Sequence, residues 1–258
     1  MSDGPEPARL RRMEPRLAIG QPAVATERQT PPEPRAQSGR VSFRLCIITD
    51  GQGDGERLLW LLAQALYAVP PGAVAVQLRE RALSGSALFA LGERLRVLTA
   101  AAGAALLIND RLDVALAVGA DGVHLPSHGL PVQSARRALD AARSRLLLSA
   151  ACHSLPEAQM AVASGAELVT FGPIWPTPSK PQGPLLPGQG RVQPAGVATL
   201  AQVAAALPVP VFALGGIDDA ERAASCVAAG ARVACIRFVL SASDPAAAVR
   251  CLLLPGPT

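Results

Sequence analysis

Ala105-Leu106-Leu107-Ile108-Asn109-Asp110-Arg111-Leu112-Asp113-Val114-Ala115-Leu116-Ala117-Val118-Gly119-Ala120-Asp121-Gly122-Val123-His124-Leu125 contains one full turn of the pattern that decides the fold. A short apolar run, Ala105–Ile108, precedes an Ala/Leu-rich stretch with helical spacing, Arg111–Val118, and a second short run follows, Gly122–Leu125. Outward from this unit the alternation repeats. Strands are expected at Leu45–Thr49, Val74–Leu78, Leu146–Ala150, Leu168–Phe171, Val209–Leu214 and Val233–Ile236, making eight with the two above. Helices are expected at Glu56–Val69, Ala87–Ala102, Pro131–Ala142, Leu155–Ser164, Gly196–Leu207, Asp218–Ala229 and Pro245–Leu253. Strict strand–helix alternation predicts an α/β chain with a parallel sheet covered by helices. Eight units in about 210 residues predict a single (β/α)8 TIM barrel over residues 41–258. A doubly wound open sheet would call for a Gly-x-Gly-x-x-Gly after the first strand; that strand ends instead in Thr49-Asp50-Gly51.

Composition narrows the rest. Half of the residues are hydrophobic and only 3% aromatic, so the expected core is closely packed Ala, Val and Leu. Residues 1–40 carry seven Pro, seven Arg and five acids (Asp3, Glu6, Glu14, Glu27, Glu33) with few large apolar groups, and are expected to be a disordered tail. The segment has no apolar stretch of the kind a signal peptide needs; its arginines suit a transit peptide and its acids do not. With a net charge of +4, of which +2 falls in this tail, the chain has no basic, aromatic-rich footprint for nucleic acid, and no apolar run would span a membrane. Five scattered cysteines without a Cys-x-x-Cys pair predict reduced thiols and a cytoplasmic protein.

In a barrel the chemistry belongs at the C-terminal ends of the strands, with phosphate near strands seven and eight. Polar residues cluster there. Strand two ends Gln77-Leu78-Arg79-Glu80-Arg81, whose alternate residues share a face while the strand lasts and can hold an anion; ion pairing of the arginines with Glu80 or Glu93 is the bland alternative. Asn109-Asp110 offers a Mg²⁺ carboxylate in Asp110, or an N-cap for the next helix. After strand five come His153, an acid–base candidate, and Ser154, an N-cap candidate. Gly215-Gly216-Ile217-Asp218 lets backbone N–H groups meet a phosphate at a helix start. Lys180 is the only lysine beside 23 arginines; between hydroxyl residues in Thr177-Pro178-Ser179-Lys180 it reads as a phosphate contact, against the alternative of a chance surface lysine.

These segments together resemble the thiamine phosphate synthase/TenI family. The carriers are Ile48-Thr49-Asp50, Gln77 to Arg81, Ile108 to Arg111, Ala120 to Leu125, Phe171 to Lys180 and Ala213 to Ile217, in family order. The resemblance implies a thiamine biosynthesis enzyme. It would condense hydroxymethylpyrimidine pyrophosphate with thiazole phosphate to give thiamine phosphate and pyrophosphate, both substrates being small molecules. It implies that Gln77, Arg79, Arg81, Asn109 and Lys180 hold the pyrimidine and its pyrophosphate. Asp110 would hold Mg²⁺, and Thr177, Ser179, Gly215 and the backbone at Ile236-Arg237 the thiazole phosphate; from their place near strands six to eight, Gly216 and the Arg237 side chain are expected to join them. A homo-oligomer is left open.

The chain also departs from the synthase pattern. After strand four the pattern Gly-Gln-x-Asp-Leu-Pro becomes Pro126-Ser127-His128-Gly129-Leu130-Pro131, so Gly129 stands where the second metal carboxylate is expected. Ala151 and Arg237 replace expected serines, and Arg81 replaces a lysine. The Leu125-Pro126-Ser127 run and His153-Ser154 resemble TenI, a thiazole tautomerase that uses a histidine and no Mg²⁺. A non-catalytic thiazole phosphate binder is the third reading. Survival of Gln77, Arg79, Asn109, Asp110 and Lys180 favours the synthase.

Overall fold

Eight short apolar runs form eight parallel strands that close on themselves. The structure, a computed structural model, describes Met1, residues 41–177 and residues 193–253. The strands are β1 (Leu45–Ile48), β2 (Val74–Leu78), β3 (Ala105–Asn109), β4 (Gly122–Leu125), β5 (Leu147–Cys152), β6 (Leu168–Phe171), β7 (Val211–Ala213) and β8 (Arg232–Cys235). Each pairs with the next, and β8 pairs with β1 through Leu45↔Val233 to Ile47↔Cys235, giving a closed barrel in the order β1 to β8. The helices outside it are α1 (Gly55–Tyr67), α2 (Gly85–Ala101), α3 (Leu112–Val118), α4 (Val132–Ala141), α5 (Leu155–Ala163), α6 (Gly196–Ala206), α7 (Ala220–Ala228), α8 (Arg237–Leu240) and α9 (Pro245–Leu253). The (β/α)8 expectation holds, with boundaries shifted by a residue or two. Of the tail expected over 1–40, residues 2–40 lie outside the described residues.

Alternation within each strand splits the apolar residues between two cores. Ile47, Val76, Leu106, Ile108, Val123, Leu148 and Val169 face outward into the shell between sheet and helices, with Leu58, Leu62, Leu95 and Leu139 from the helices. Cys46, Ile48, Ala75, Leu107, Leu147, Leu168, Phe212 and Ala234 face inward. The bottom is plugged by Phe43 against Phe212, ring centroids 5.3 Å apart. The Arg232 guanidinium lies over Phe212 and donates to the carbonyls of Val41 (3.0 Å) and Phe43 (2.6 Å). So a scarcity of aromatics does not leave the interior to aliphatics alone; two of the five phenylalanines close its floor.

One element was not legible in the sequence. The strand expected to run to Ile236 stops at Cys235, Ile236 takes the N-cap position, and the four-residue helix α8 begins at Arg237.

Candidate active site at the mouth of the barrel

Two residues beyond the apolar interior layer, the same strand faces turn polar. Gln77 follows Ala75, Asn109 follows Leu107, His124 follows Gly122, Ser149 follows Leu147 and Thr170 follows Leu168, and all five are buried. A period of two places them on the inner wall, one step nearer the C-terminal mouth. Gln77 Nε2 donates to Asn109 Oδ1 at 3.2 Å, and His124 Nδ1 lies 2.8 Å from Ser149 Oγ. Burial, with the Arg79 charge nearby, pushes the His124 imidazole down to about 4, so it is neutral at physiological pH. With Gln77 Nε2 committed to Asn109, the Gln77 carbonyl oxygen and the Asn109 amide nitrogen stay available as a paired acceptor and donor.

Arg79 sits just past the end of β2, half-buried, its backbone N–H held by Thr49 Oγ1 at 2.7 Å. Burial and the Arg81 charge lower its pKa, with Glu80 opposing; a guanidinium so displaced is still a cation. The expectation that Gln77, Arg79 and Arg81 share a face is corrected at Arg81. β2 stops at Leu78, and Arg81 is exposed in the turn that follows. The suggested Glu80 ion pair is also absent among the described residues. The buried Glu80 carboxylate instead accepts the N–H groups of Gly51 (3.0 Å) and Gly53 (2.7 Å), tying down the β1–α1 loop.

Asp110 is not a helix cap. α3 starts at Leu112 with Arg111 in the cap position, and Asp110 adopts a left-handed conformation (φ 65°) with its N–H on the His124 carbonyl at 2.8 Å. Its exposed carboxylate therefore stands free of the helix, beside the β4–α4 loop. A Cβ built on Gly129 would lie 2.6 Å from Asp110 Oδ1, so the position lacking a carboxylate in this sequence does face Asp110. The donors present fit a Mg²⁺ that takes one protein carboxylate and draws its other oxygens from water and substrate, which is how Mg²⁺ usually binds. They do not make an all-protein cage: no cluster of three His, Cys, Asp or Glu occurs among the described residues.

Ser154 is the N-cap of α5, accepting from Glu157 N–H at 3.3 Å, as expected. His153 next to it is half-buried, with its N–H on Glu157 and Nδ1 against the Gly172 carbonyl. A carbonyl only accepts, so Nδ1 carries a proton and donates it there, which fixes the orientation of the ring.

On the far side of the mouth, the residues after β6 zip onto those after β7. Leu214 N–H donates to Phe171, Ile174 N–H to Leu214 (3.1 Å) and Trp175 N–H to Gly215 (3.0 Å). This pairing explains the glycine pair. Gly215 (φ 101°) and Gly216 (φ 70°) have left-handed backbones, and added Cβ atoms would meet Pro173 at 2.7 Å and Trp175 at 2.6 Å. The pair does not open a helix, contrary to expectation. α7 begins at Ala220 with its own cap, Asp219, which accepts from Arg222 N–H at 2.7 Å. Arg222 reaches back to the Gly216 carbonyl (2.7 Å) and over the Trp175 ring. α8, by contrast, has no side-chain cap; it begins directly after β8, with half-buried Ile236 at its N-cap and exposed Arg237 as its first residue. Thr177 is half-buried at the end of the described segment; Ser179 and Lys180 lie outside the described residues.

The structure thus gathers Gln77, Arg79, Asn109 and Asp110 on the β2–β3 side, with Gly215, Gly216, Ile236 and Arg237 on the β7–β8 side and His153 on the β5 loop. Thr49, Glu80 and Ser149 were missed as supports. The signal was available for Ser149, a hydroxyl at inward parity in an apolar strand. A hollow of about 550 Å³ lies at the opposite face, lined by Ser42, Phe43, Gly103, Asp121 and Ser144 among others, and none of these residues belongs to the gathered set.

The comparisons agree with this geometry. A family model described as thiamine monophosphate synthase matches residues 45–239. A thiamine-phosphate synthase of Roseiflexus castenholzii is 43% identical over 208 residues, covering 80% of this chain and 85% of that protein. One of Anaeromyxobacter dehalogenans is 45% identical over 188 residues, covering 72% and 79%. Among solved structures, the thiamine phosphate pyrophosphorylase from Pyrococcus furiosus superposes with a TM-score of 0.70 at 29% identity, covering 83% of this chain and 95% of that one. The matched span runs from the first strand into α8 and takes in every described residue of the mouth, and on that ground the chain belongs to the thiamine monophosphate synthase family.

Proposed function

We propose that this chain is a thiamine-phosphate synthase, joining hydroxymethylpyrimidine pyrophosphate to thiazole phosphate. The observation that carries the reading is the buried Gln77–Asn109 pair at the C-terminal ends of β2 and β3, with half-buried Arg79 just beyond the end of β2. The free acceptor of Gln77 and free donor of Asn109 match the amino group and adjacent ring nitrogen of an aminopyrimidine. Arg79, with Arg81 and Lys180, supplies cations for the pyrophosphate. Gly215, Gly216, Ile236, Arg237, Thr177 and Ser179 supply amides, hydroxyls and a guanidinium for the thiazole phosphate.

In the reaction the methylene C–O bond breaks and its electron pair leaves on pyrophosphate. The thiazole nitrogen then donates its lone pair to the methylene carbon, forming the C–N bond. The chain's own work is to hold the ring flat against the polar wall, to neutralise the growing negative charge on the leaving group, and to keep the thiazole nitrogen in line. Mg²⁺, held by Asp110 and the substrate's phosphate oxygens, would add charge neutralisation at the leaving group. We place the enzyme in the cytoplasm, with residues 41–258 as the catalytic unit. Five unpaired thiols, and the absence among described residues of a helix able to cross a membrane, support that placement.

The orientation of His153 supports a second reading, thiazole tautomerase, because an imidazole anchored through Nδ1 on the Gly172 carbonyl leaves Nε2 as the atom that would move a proton on a thiazole carboxylate phosphate. The deciding experiment gives purified protein both synthase substrates, with and without Mg²⁺, and measures thiamine phosphate. Formation of thiamine phosphate supports the synthase. None at saturating Mg²⁺, together with an isomerisation that His153→Ala abolishes, replaces it with the tautomerase. Thiazole phosphate binding with neither activity rejects both.

A further inference from the structure

The run Gly215-Gly216-Ile217-Asp218-Asp219-Ala220-Glu221-Arg222 places two carboxylates four and three residues before an arginine, the spacing at which side chains meet around the start of a helix. Arg222 is half-buried in the first turn of α7 and belongs to none of the sets assigned above to the substrates. Its guanidinium is fully engaged. Nη1 donates to the Gly216 carbonyl at 2.7 Å and to the Asp218 carboxylate, Nε lies 3.7 Å from Asp219 Oδ2, and Cζ stands 5.4 Å from the centre of the Trp175 ring. Two carboxylates offset its charge, so Arg222 brings no net cation to the mouth. What it brings is a fixed direction for one backbone carbonyl and a cover for one indole.

That carbonyl lies in the seam between the β6 and β7 loops. Trp175 N–H holds the Gly215 carbonyl at 3.0 Å, and Arg222 holds the Gly216 carbonyl. The peptides that follow both glycines are trans, so the N–H groups of Gly216 and Ile217 point opposite to those carbonyls. Neither N–H has an acceptor among the described residues. A glycine backbone turns over at little steric cost, and a turned Gly216–Ile217 peptide would put a carbonyl oxygen where its N–H had been. An anchor on the carbonyl is what selects one orientation, and the side chain of Arg222 is that anchor.

We propose that Arg222 is a positioning residue for the phosphate of the thiazole substrate. By holding the Gly216 carbonyl and the Trp175 ring it sets the amides of Gly216 and Ile217 as phosphate donors, and it does not touch the phosphate itself. Asp218 and Asp219 hold Arg222 in turn. The proposal rests on the reading of the mouth given above, in which the glycine pair meets a thiazole phosphate, and it applies to the synthase and the tautomerase alike.

The test uses the full-length protein with Trp60→Phe, which leaves Trp175 as the single tryptophan. In that background Arg222 is compared with Arg222→Met and Arg222→Lys. Thiazole phosphate binding is measured by calorimetry, and turnover with each substrate varied in turn. Arg222→Met should weaken thiazole phosphate binding and raise its KM about tenfold, the worth of one hydrogen bond to a charged group, with kcat and the KM for the pyrimidine pyrophosphate within about twofold of wild type. Trp175 should become about twofold more accessible to a neutral collisional quencher, because the guanidinium no longer covers the ring. Arg222→Lys serves if the methionine variant does not fold. A compact ammonium cannot both reach Gly216 and lie flat on the indole, so it should show the same selective loss at about threefold or more. An unchanged thiazole phosphate affinity in either folded variant overturns the proposal. So does lost turnover with both KM values unchanged, which is the mark of a merely destabilised protein. Wild-type protein that binds no thiazole phosphate defeats the reading of the mouth and the proposal together, whereas wild-type binding that Arg222→Met leaves intact defeats the proposal alone.

Discussion

Replacing Gly172 by Ala should damage stability and catalysis together, because it strikes the seam between the β6 and β7 loops. A Cβ at Gly172 would sit 1.9 Å from the Leu214 carbonyl oxygen, about 1.5 Å inside ordinary contact. The obstacle is backbone, so no rotamer relieves it. The carbonyl that must retreat accepts Ile174 N–H at 3.1 Å, and the next residue, Gly215, accepts Trp175 N–H at 3.0 Å. Ile174 is fully buried, so a broken bond there strands a donor away from water. One lost buried hydrogen bond costs about 1–3 kcal/mol, and overpacking adds about 1–3 kcal/mol. With partial relaxation the expected loss is about 2–4 kcal/mol. The same displacement moves the Gly172 carbonyl that orients His153 and the glycine pair proposed to face the thiazole phosphate, and a shift near 1 Å can cost about 100-fold in turnover. Urea denaturation gives the first number, and kcat/KM for thiamine phosphate formation gives the second. Gly119→Ala is the control: Gly119 has a left-handed backbone (φ 66°) but nothing within 4 Å of an added Cβ. It should lose only about 1–2 kcal/mol and keep its activity. If Gly172→Ala stays within about 0.5 kcal/mol and twofold of wild type, the seam does not position the site.

Three further outcomes are expected. Lys180→Ala should lower turnover far more than it lowers thiazole phosphate affinity, and Lys180→Arg should rescue only in part, since a planar fork does not replace a point charge on the leaving pyrophosphate; equal effects on both quantities would place Lys180 outside the chemistry. Gly129→Asp should tighten Mn²⁺ binding to the free protein by about tenfold or more, measured by paramagnetic relaxation, because its Cβ lies 2.6 Å from the movable Asp110 Oδ1; unchanged relaxation would separate Asp110 from the metal. His124 binds its proton less readily when folded, at about 4 against 6.5, so the unfolded chain takes up protons first and folding stability must fall as pH drops from about 6.5 to 4. The full effect is about 3 kcal/mol below pH 4, and His124→Gln should flatten that part of the stability–pH curve; an unaltered curve would mean that the imidazole is not neutralised by burial.

How far the sequence reaches is shown by which features depend on repetition. The eight strands and eight longer helices were legible because each rests on a periodicity repeated through the chain, and the same parity carries inward-facing Ala75 and Leu107 on to Gln77 and Asn109. Where a strand gives way to a loop, parity stops. Arg81 continues the Gln-x-Arg-x-Arg spacing on paper, but β2 ends at Leu78 and the Glu80 carboxylate turns to the amides of Gly51 and Gly53, a contact between residues 27 and 29 apart. Asp110 has the composition of a cap and the geometry of a free carboxylate, since one left-handed residue moves it out of the helix. α8, at four residues, is too short to show a helical period, yet Arg237 is its first residue and not the end of a strand. Gly215-Gly216 was found for one reason and is held for another. Its backbone is left-handed, as a phosphate loop would ask, but the Pro173 and Trp175 contacts would forbid a side chain there in any case. A glycine pair at a strand end is therefore weak testimony for a ligand unless the space that it opens faces the mouth, and here the packing of one loop on the other already accounts for it.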